Sequence, residues 1–257
     1  MKRLDGRTAF VTGASSGIGR SIARALAVEG ARLLLAARRL DRVDVLAEEI
    51  RAAHGLDVLT SSLDVRRQPD VEAMVRALPP EWAAIDILVN NAGLSRGLNK
   101  FHEGLLQDWE EMLDTNVKGL LYVSRAVIPG MVVRNRGHVV NIGSVAGREV
   151  YPGGSVYCAS KFAERAISKG MLLDLNGTEI RVTTVDPGMV ETEFSLVRFH
   201  GDESRAKSVY LGLTPLTPDD VADAVVYAIT RPAHMNVAEM VLMPTCQAGA
   251  TVVSRKG

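Results

Sequence analysis

Thr8-Ala9-Phe10-Val11-Thr12-Gly13-Ala14-Ser15-Ser16-Gly17-Ile18-Gly19 is the stretch that decides the fold. Its first five residues are apolar or β-favouring, as in a short strand buried on both faces. Residues 20–29 then follow a helical period, so the stretch reads strand, glycine turn, helix. Gly13, Gly17 and Gly19 remove Cβ atoms where the chain turns. They leave backbone N–H groups at a helix N-terminus free to meet a pyrophosphate. The spacing is Gly-x-x-x-Gly-x-Gly, not the Gly-x-Gly-x-x-Gly of the commoner dinucleotide fingerprint. A glycine-rich loop with no ligand is the competing reading, and the strand–loop–helix context weighs against it.

Outward from that stretch, strands and helices alternate. Strands are expected at 31–37, 57–63, 85–89, 138–142, 181–185 and 239–242. Helices are expected at 40–53, 70–78, 107–128, 155–175 and 218–229, the long third one stopping near Pro129-Gly130. This alternation implies an α/β, doubly wound Rossmann fold with a parallel sheet of about seven strands and right-handed crossovers. No linker, repeat or low-complexity run divides the chain. One dinucleotide-binding and catalytic domain over 1–257 is expected, with 189–215 as a substrate-side segment of loop and short helices.

Ser155-Val156-Tyr157-Cys158-Ala159-Ser160-Lys161 carries the chemistry. A phenol titrates near about 10 and is a poor proton donor or acceptor at neutral pH. An ammonium nearby favours the phenolate, and on a helix residues i and i+4 share a face. Lys161 can therefore lie beneath Tyr157 and make it a usable acid and base. Ser144, a short loop upstream, would donate a neutral hydrogen bond to a carbonyl or alkoxide oxygen. A Tyr-x-x-x-Lys pair alone is more often a solvated helix face; the glycine loop gives it weight.

Taken together, Thr12-Gly13-x-x-x-Gly17-x-Gly19, Asn90-Asn91-Ala92-Gly93, Asn116, Ser144, Tyr157-x-x-x-Lys161 and Pro187-Gly188 resemble the short-chain dehydrogenase/reductase family, over essentially the whole chain. Residues 193–202 and Arg231-Pro232-Ala233-His234 with Met243-Pro244 are most similar to its NADP-linked 3-hydroxy acid dehydrogenases, of the serine dehydrogenase or malonic semialdehyde reductase type. The resemblance implies that Thr12, Gly13, Ser15, Ser16, Gly17, Ile18 and Gly19 hold the cofactor phosphates. It implies that Asp64 and Val65 flank the adenine, and that Asn91, Ala92 and Gly93 pass the ribose. Pro187, Gly188, Val190 and Thr192 would line the nicotinamide side, Lys161 would also bond the nicotinamide ribose, and Asn90 would be structural. Asn116 would bend its helix and place a relay water, against a purely structural alternative.

In dinucleotide folds an acidic residue about 20 positions past the glycine loop binds the ribose 2′-hydroxyl of NAD. Here Arg38 and Arg39 occupy that place, and Asp41 is too far on to substitute. A guanidinium pair suits a 2′-phosphate, so the cofactor is expected to be NADP(H), with NAD(H) second. The reaction expected is hydride transfer between NADP(H) and a small 3-hydroxy acid, with Ser144, Tyr157, Lys161 and Asn116 catalytic. The substrate's carboxylate needs a cation. Arg198 is favoured over Arg148 and Arg96, and loop clamping by Arg198 is the alternative. Whether Tyr151 and Cys158 shape the pocket the sequence leaves open, and His200 and His234 are read as structural. Other readings are a reductase of neutral ketones or aldehydes, a non-catalytic NADP sensor, and a scaffold protein.

Thirty basic and thirty acidic residues cancel, so neither nucleic acid nor an anionic membrane is expected as a partner. No apolar run approaches the roughly 20 residues that span a bilayer, and the basic start is not a secretory signal. The two cysteines have no metal-ligand spacing, so no metal is expected. These features make the cytoplasm the expected location, and a homotetramer is the assembly that the resemblance implies.

Overall fold

The computed structural model describes residues 2–256. Among them, the strands β1 (Thr8–Thr12), β2 (Arg32–Ala37), β3 (Val58–Ser62), β4 (Ile87–Asn90), β5 (Gly137–Ile142), β6 (Ile180–Pro187) and β7 (Glu239–Leu242) form one sheet. Its order is β3-β2-β1-β4-β5-β6-β7, and every pairing is parallel. The helices are α1 (Gly17–Val28), α2 (Leu40–His54), α3 (Gln68–Arg76), α4 (Leu106–Met112), α5 (Leu120–Arg134), α6 (Ser155–Asp174), α7 (Phe194–Arg198), α8 (Glu203–Ser208) and α9 (Pro218–Ile229). The doubly wound Rossmann architecture expected from the alternation is the one observed. No helix of the described residues is long and apolar enough to cross a membrane.

Strand residues alternate between two cores, the reason these strands read as unbroken apolar runs. Ala9, Val11, Leu33, Leu35 and Val140 pack with α1, α2 and α9 on one face. Phe10, Leu34, Leu88, Val139 and Val182 pack with α3, α5 and the far end of α6 on the other. α9 starts where Thr217 and Asp220 form a capping box ahead of Pro218.

The long helix expected to stop at Pro129 does not. α5 continues to Arg134 and ends at Asn135, whose backbone is left-handed (φ +46°). A proline removes one intrahelical hydrogen bond. Met131, fully buried two residues past Pro129, keeps the helix on the core. The same helical run is also interrupted at Leu113–Gly119, which is a π-helical segment between α4 and α5. The segment 189–215 contains α7 and α8, two short helices joined to the rest by loops.

Candidate active site

The sheet order reverses between β1 and β4, and connections leaving those strands part at their carboxyl ends. Crevices at such switch points are where open α/β sheets bind ligands. Here a cleft of about 390 Å³ opens there.

One wall is built largely of backbone. Gly13 is left-handed (φ +66°), and a Cβ there would lie 2.9 Å from Ala92 Cα. A Cβ on Gly19 would lie 2.5 Å from the Gly13 carbonyl oxygen. Only glycine lets the turn close against both the β4 loop and the start of α1. Thr12 braces this from behind: its Oγ1 accepts from the Asn91 and Ala92 N–H groups, each at 3.1 Å. Asn91 Nδ2 donates to the Thr12 and Gly13 carbonyls at 3.0 and 3.2 Å. Ser15, Ser16, Gly17 and Ile18 then line the cleft at the α1 N-terminus.

Arg38 and Arg39 stand at the outer end of this wall, past β2. Arg39 donates to Ser16 Oγ (2.8 Å), Ser15 Oγ (3.2 Å) and Glu193 Oε2 (3.0 Å). Arg38 lies 3.7 Å from Glu111. Asp64 and Val65 line the floor; hydrogen bonds from Arg66 hold the Asp64 carboxyl below the usual carboxylate range, against burial.

The other wall is built of side chains. Ser144 follows β5; its Oγ accepts from Ala146 N–H at 3.1 Å, capping the 3₁₀ turn Val145–Gly147, and its hydroxyl hydrogen is left to donate. Tyr157 and Lys161 are one turn apart on α6, both facing the cleft and both buried. Lys161 Nζ donates to the Ile142 carbonyl (2.9 Å) and to Glu164 Oε2 (2.7 Å). Burial opposes the charge on Lys161, but Glu164, Tyr157 and Asp186 outweigh it and hold the ammonium above its ordinary range. The Phe194 ring meets Tyr157 edge-on, with centroids 5.7 Å apart. The Arg198 guanidinium lies 5.4 Å from the Tyr157 centroid and 4.9 Å from that of Phe194.

Three arginines were candidates for a substrate carboxylate, and their partners differ. Arg148 is taken by Asp186, at 2.7 Å, and by Glu239. Arg96 is taken by Glu111 at 2.7 Å and by the Val197 carbonyl at 2.6 Å. Arg198 has neutral partners, Ser95 Oγ at 3.2 Å and Tyr151 Oη at 3.3 Å, and among the described residues no carboxylate pairs with it. Burial pushes the Tyr151 phenol up, so it stays neutral beside that cation. His200 bonds Asp108 at 3.1 Å, away from the cleft wall.

Of the residues assigned from the sequence to the cofactor, to catalysis or, in Arg198, to the substrate, all but Thr12, Gly19, Asn116 and Arg198 line the cleft; Asn90, Arg148, Tyr151, Cys158, His200 and His234 also stand outside its lining. Thr12 and Gly19 shape its wall from behind. Asn116 is buried in the π-helical segment; its amide bonds both polar groups of the Leu94 backbone (2.9 and 2.8 Å) and Ser160 Oγ (2.9 Å). It ties the loop after β4 to α6. Glu164 is not among the residues the sequence singles out, and Glu193 and Phe194 are singled out only as part of the segment 193–202, with no site role. Glu164 could have been singled out: Tyr157, Lys161, Glu164 and Ser168 are spaced 4-3-4, one helix face.

Residues 7–201 match the family described as short chain dehydrogenase. The chain is 48% identical over 242 residues to the NADP-dependent 3-hydroxy acid dehydrogenase YdfG of Salmonella typhi, covering 94% of this chain and 96% of that protein. It is 44% identical over 257 residues to the NADP-dependent 3-hydroxy acid dehydrogenase of Schizosaccharomyces pombe, covering 100% of this chain and 99% of that one. Among solved structures, the closed form of a serine dehydrogenase complexed with NADP+ superposes with a TM-score of 0.90 at 44% identity, covering 97% of this chain and 100% of that one.

Proposed function

The chain belongs to the short-chain dehydrogenase family, and from that premise we propose that it transfers hydride between NADP(H) and the hydroxyl or carbonyl carbon of a small 3-hydroxy acid. The observation that carries the substrate class is Arg198, a guanidinium over the Tyr157 ring with neutral partners only. A carboxylate is the group that such a site lacks.

The cleft fits the dinucleotide. The cradle that Cβ atoms on Gly13 and Gly19 would fill, with the α1 N-terminus behind it, suits a pyrophosphate. Arg38 and Arg39 suit a 2′-phosphate. Asp64 and Val65 would flank the adenine. Asn91, Ala92, Gly93 and Lys161 would meet the riboses, and Pro187, Gly188, Val190 and Thr192 the nicotinamide end. When bound, the nicotinamide supplies or accepts the hydride.

The chain's own residues handle the oxygen and its proton. In reduction Ser144 donates a hydrogen bond to the carbonyl oxygen and Tyr157 gives that oxygen its proton; in oxidation Tyr157 takes the proton back. Lys161 keeps a fixed positive charge behind the phenol. Asn116 holds the loop and helix that present these groups, and its segment supplies the place for a relay water. Arg198 holds the substrate carboxylate, so the hydroxyl two carbons away falls toward Tyr157 and Ser144. Residues 189–215, carrying α7 and α8, form the substrate side of a single domain.

A homotetramer is the assembly proposed. It is supported by apolar side chains left exposed on α5 (Leu121, Val132, Val133) and α6 (Phe162, Leu173). The free thiols of Cys158 and Cys246 support a reducing, cytoplasmic setting.

The test is a substrate panel with NADP+: L-serine, 3-hydroxypropionate and 3-hydroxyisobutyrate against neutral alcohols of similar size. The expected result is turnover of the acids far above that of the alcohols. Equal or better turnover of neutral alcohols overturns the substrate class in favour of a neutral-carbonyl reductase, and no turnover at all favours the non-catalytic sensor. Light scattering at micromolar concentration reads the assembly, and a monomer mass refutes the tetramer.

A further inference from the structure

Glu164 lies on α6 one turn beyond Lys161 and is 3% exposed. Its Oε2 accepts from Lys161 Nζ at 2.7 Å, and its Oε1, also buried, has no partner. A buried carboxylate with half its acceptors unmet is costly to keep, yet its only ionic partner among the described residues is the ammonium proposed to drive the chemistry. Nothing in the mechanism above uses it.

We propose that Glu164 is a positioning residue for the hydride-transfer reaction: its carboxylate fixes Lys161 Nζ behind Tyr157 and cancels part of the positive field that the ammonium casts on the phenol. This rests on the roles given to Tyr157 and Lys161 above. A lone buried ammonium would favour the phenolate strongly. An ammonium with a carboxylate 2.7 Å away is close to a neutral pair seen from the phenol. The protein thereby keeps Tyr157 a proton donor to higher pH than Lys161 alone would allow.

The charges that surround this pair leave Glu164 as the one that decides the balance. Asp186 at the end of β6 acts on both Glu164 and Lys161, and it is itself neutralised by Arg148 after the 3₁₀ turn. From the π-helical segment, Asp114 and Lys118 pair with each other at 2.7 Å on the outside. From α4, Glu111 is paired with Arg96. Further along α6, Arg165 pairs with Glu239 of β7. On the cleft side Arg198 lies over the Tyr157 ring, with Tyr151 beside it. Burial pushes the Glu164 carboxyl up to about 7, against the pull of Lys161. The carboxylate is therefore charged on the alkaline side of that value, where its effect on the phenol is to be read.

The experiment is Glu164→Gln, which keeps the volume and an acceptor for Lys161 but removes the charge. Two readouts are taken: the pH profile of kcat/KM in both directions, and the tyrosinate ultraviolet absorbance of the substrate-free enzyme. Subtracting the same titration of a Tyr157→Phe chain isolates one phenol among the five tyrosines. The alkaline limb of carbonyl reduction, the acid limb of alcohol oxidation and the Tyr157 absorbance midpoint should all move to lower pH by on the order of one unit. Glu164→Asp, which keeps the charge, should restore most of the parent profile. If the Gln chain does not fold, Glu164→Met against the parent makes the same comparison of charge at near-constant size. Unmoved limbs and an unmoved midpoint in a folded, charge-free variant overturn the inference and leave Glu164 a packing residue. The absorbance titration needs no substrate. If the substrate panel finds no turnover but the midpoint moves, the proposed reaction fails while the Glu164–Lys161–Tyr157 coupling stands.

Discussion

The two walls of the cleft are made of different material. The β1–α1–β2 wall is backbone closed by glycines, and its charged groups, Arg38 and Arg39, are about half exposed at 53% and 43%. The α6–α7 wall is side chains packed on side chains: Tyr157, Lys161 and Glu164 are each under 8% exposed, and Arg198 is stacked on two rings. Charges in water are screened and each contributes little. Charges out of water act strongly on what they touch, and removing one partner leaves the other uncompensated. The first wall can therefore recognise a large ligand by many modest contacts, while the second concentrates its effect in a few groups. Single substitutions should separate the two.

The largest effect should come from Tyr157→Phe. The ring keeps its edge contact with Phe194 and only the proton donor is lost. Positioned acid–base groups contribute about 10²–10⁴-fold, so hydride transfer followed by stopped flow should slow by that order, while NADPH affinity stays within a few-fold. Near-parent turnover would break the comparison at once, because the buried wall would then hold no essential proton.

Arg198→Leu comes next and tests the same wall through the substrate. A hydrogen bond to a charged group contributes about 1.5–3 kcal/mol, so KM for 3-hydroxy acids should rise about 10- to 100-fold. Activity on neutral alcohols of similar size should hardly change. Arg198→Lys should recover part of the loss, since an ammonium cannot reproduce the planar fork. Equal impairment of both substrate types assigns Arg198 to holding α7. Arg148 and Arg96 are already ion-paired, so neither could inherit the role without giving up Asp186 or Glu111.

The same contrast explains what could be read ahead of the structure. The backbone wall was legible because glycine spacing after a short apolar strand leaves few geometries, and Gly13 and Gly19 sit where a Cβ would collide with backbone. The parallel, doubly wound sheet followed from alternation, and α9 and β7 begin and end where the pattern placed them. The side-chain wall was legible only in part. The 4-3-4 face of α6 contains Glu164 as plainly as Lys161, but a Lys–Glu pair three residues apart on a helix normally reads as a solvated surface pair. α7 and α8, of 5 and 6 residues, are too short to show a helical period. The π-helical segment at Leu113–Gly119 widens the helix by backbone hydrogen bonding and has no residue signature of its own. Pro129 reads as a stop because its local cost is visible in sequence, whereas the burial of Met131 that offsets it is not.

On the exposed wall, Arg38→Ala with Arg39→Ala should weaken NADP(H) on the order of tenfold and NAD(H) much less. The value sits between a shielded charged hydrogen bond and an exposed ion pair because both side chains are about half in water. Fluorescence titration with both nucleotides checks it. Equal weakening of the two would mean that the arginines hold the wall's shape and do not read a 2′-phosphate. A loss as large as that from Tyr157→Phe would mean that the exposed wall closes over its ligand far more than its present exposure implies.

The smallest effect is expected where the walls meet. Glu193, just before α7, accepts from Arg39 Nη1 at 3.0 Å and from Arg42 Nη1 at 2.7 Å, so a residue of the substrate side occupies a guanidinium of the cofactor side. Burial opposes its charge, but Arg42 and Arg39 outweigh that and hold the carboxyl below its ordinary range. A 2′-phosphate arriving at Arg39 meets this carboxylate both as a competitor and as a like charge. Glu193→Gln should therefore tighten NADP(H) by about two- to threefold, a size set by side chains that are each 40–46% exposed. NAD(H), which carries no 2′-phosphate, should be unaffected, and the gain should shrink as salt is added. If both nucleotides instead weaken together, the ion pairs act as a tether: Glu193 then fixes α7 across the cleft mouth, and the two walls are one mechanical unit.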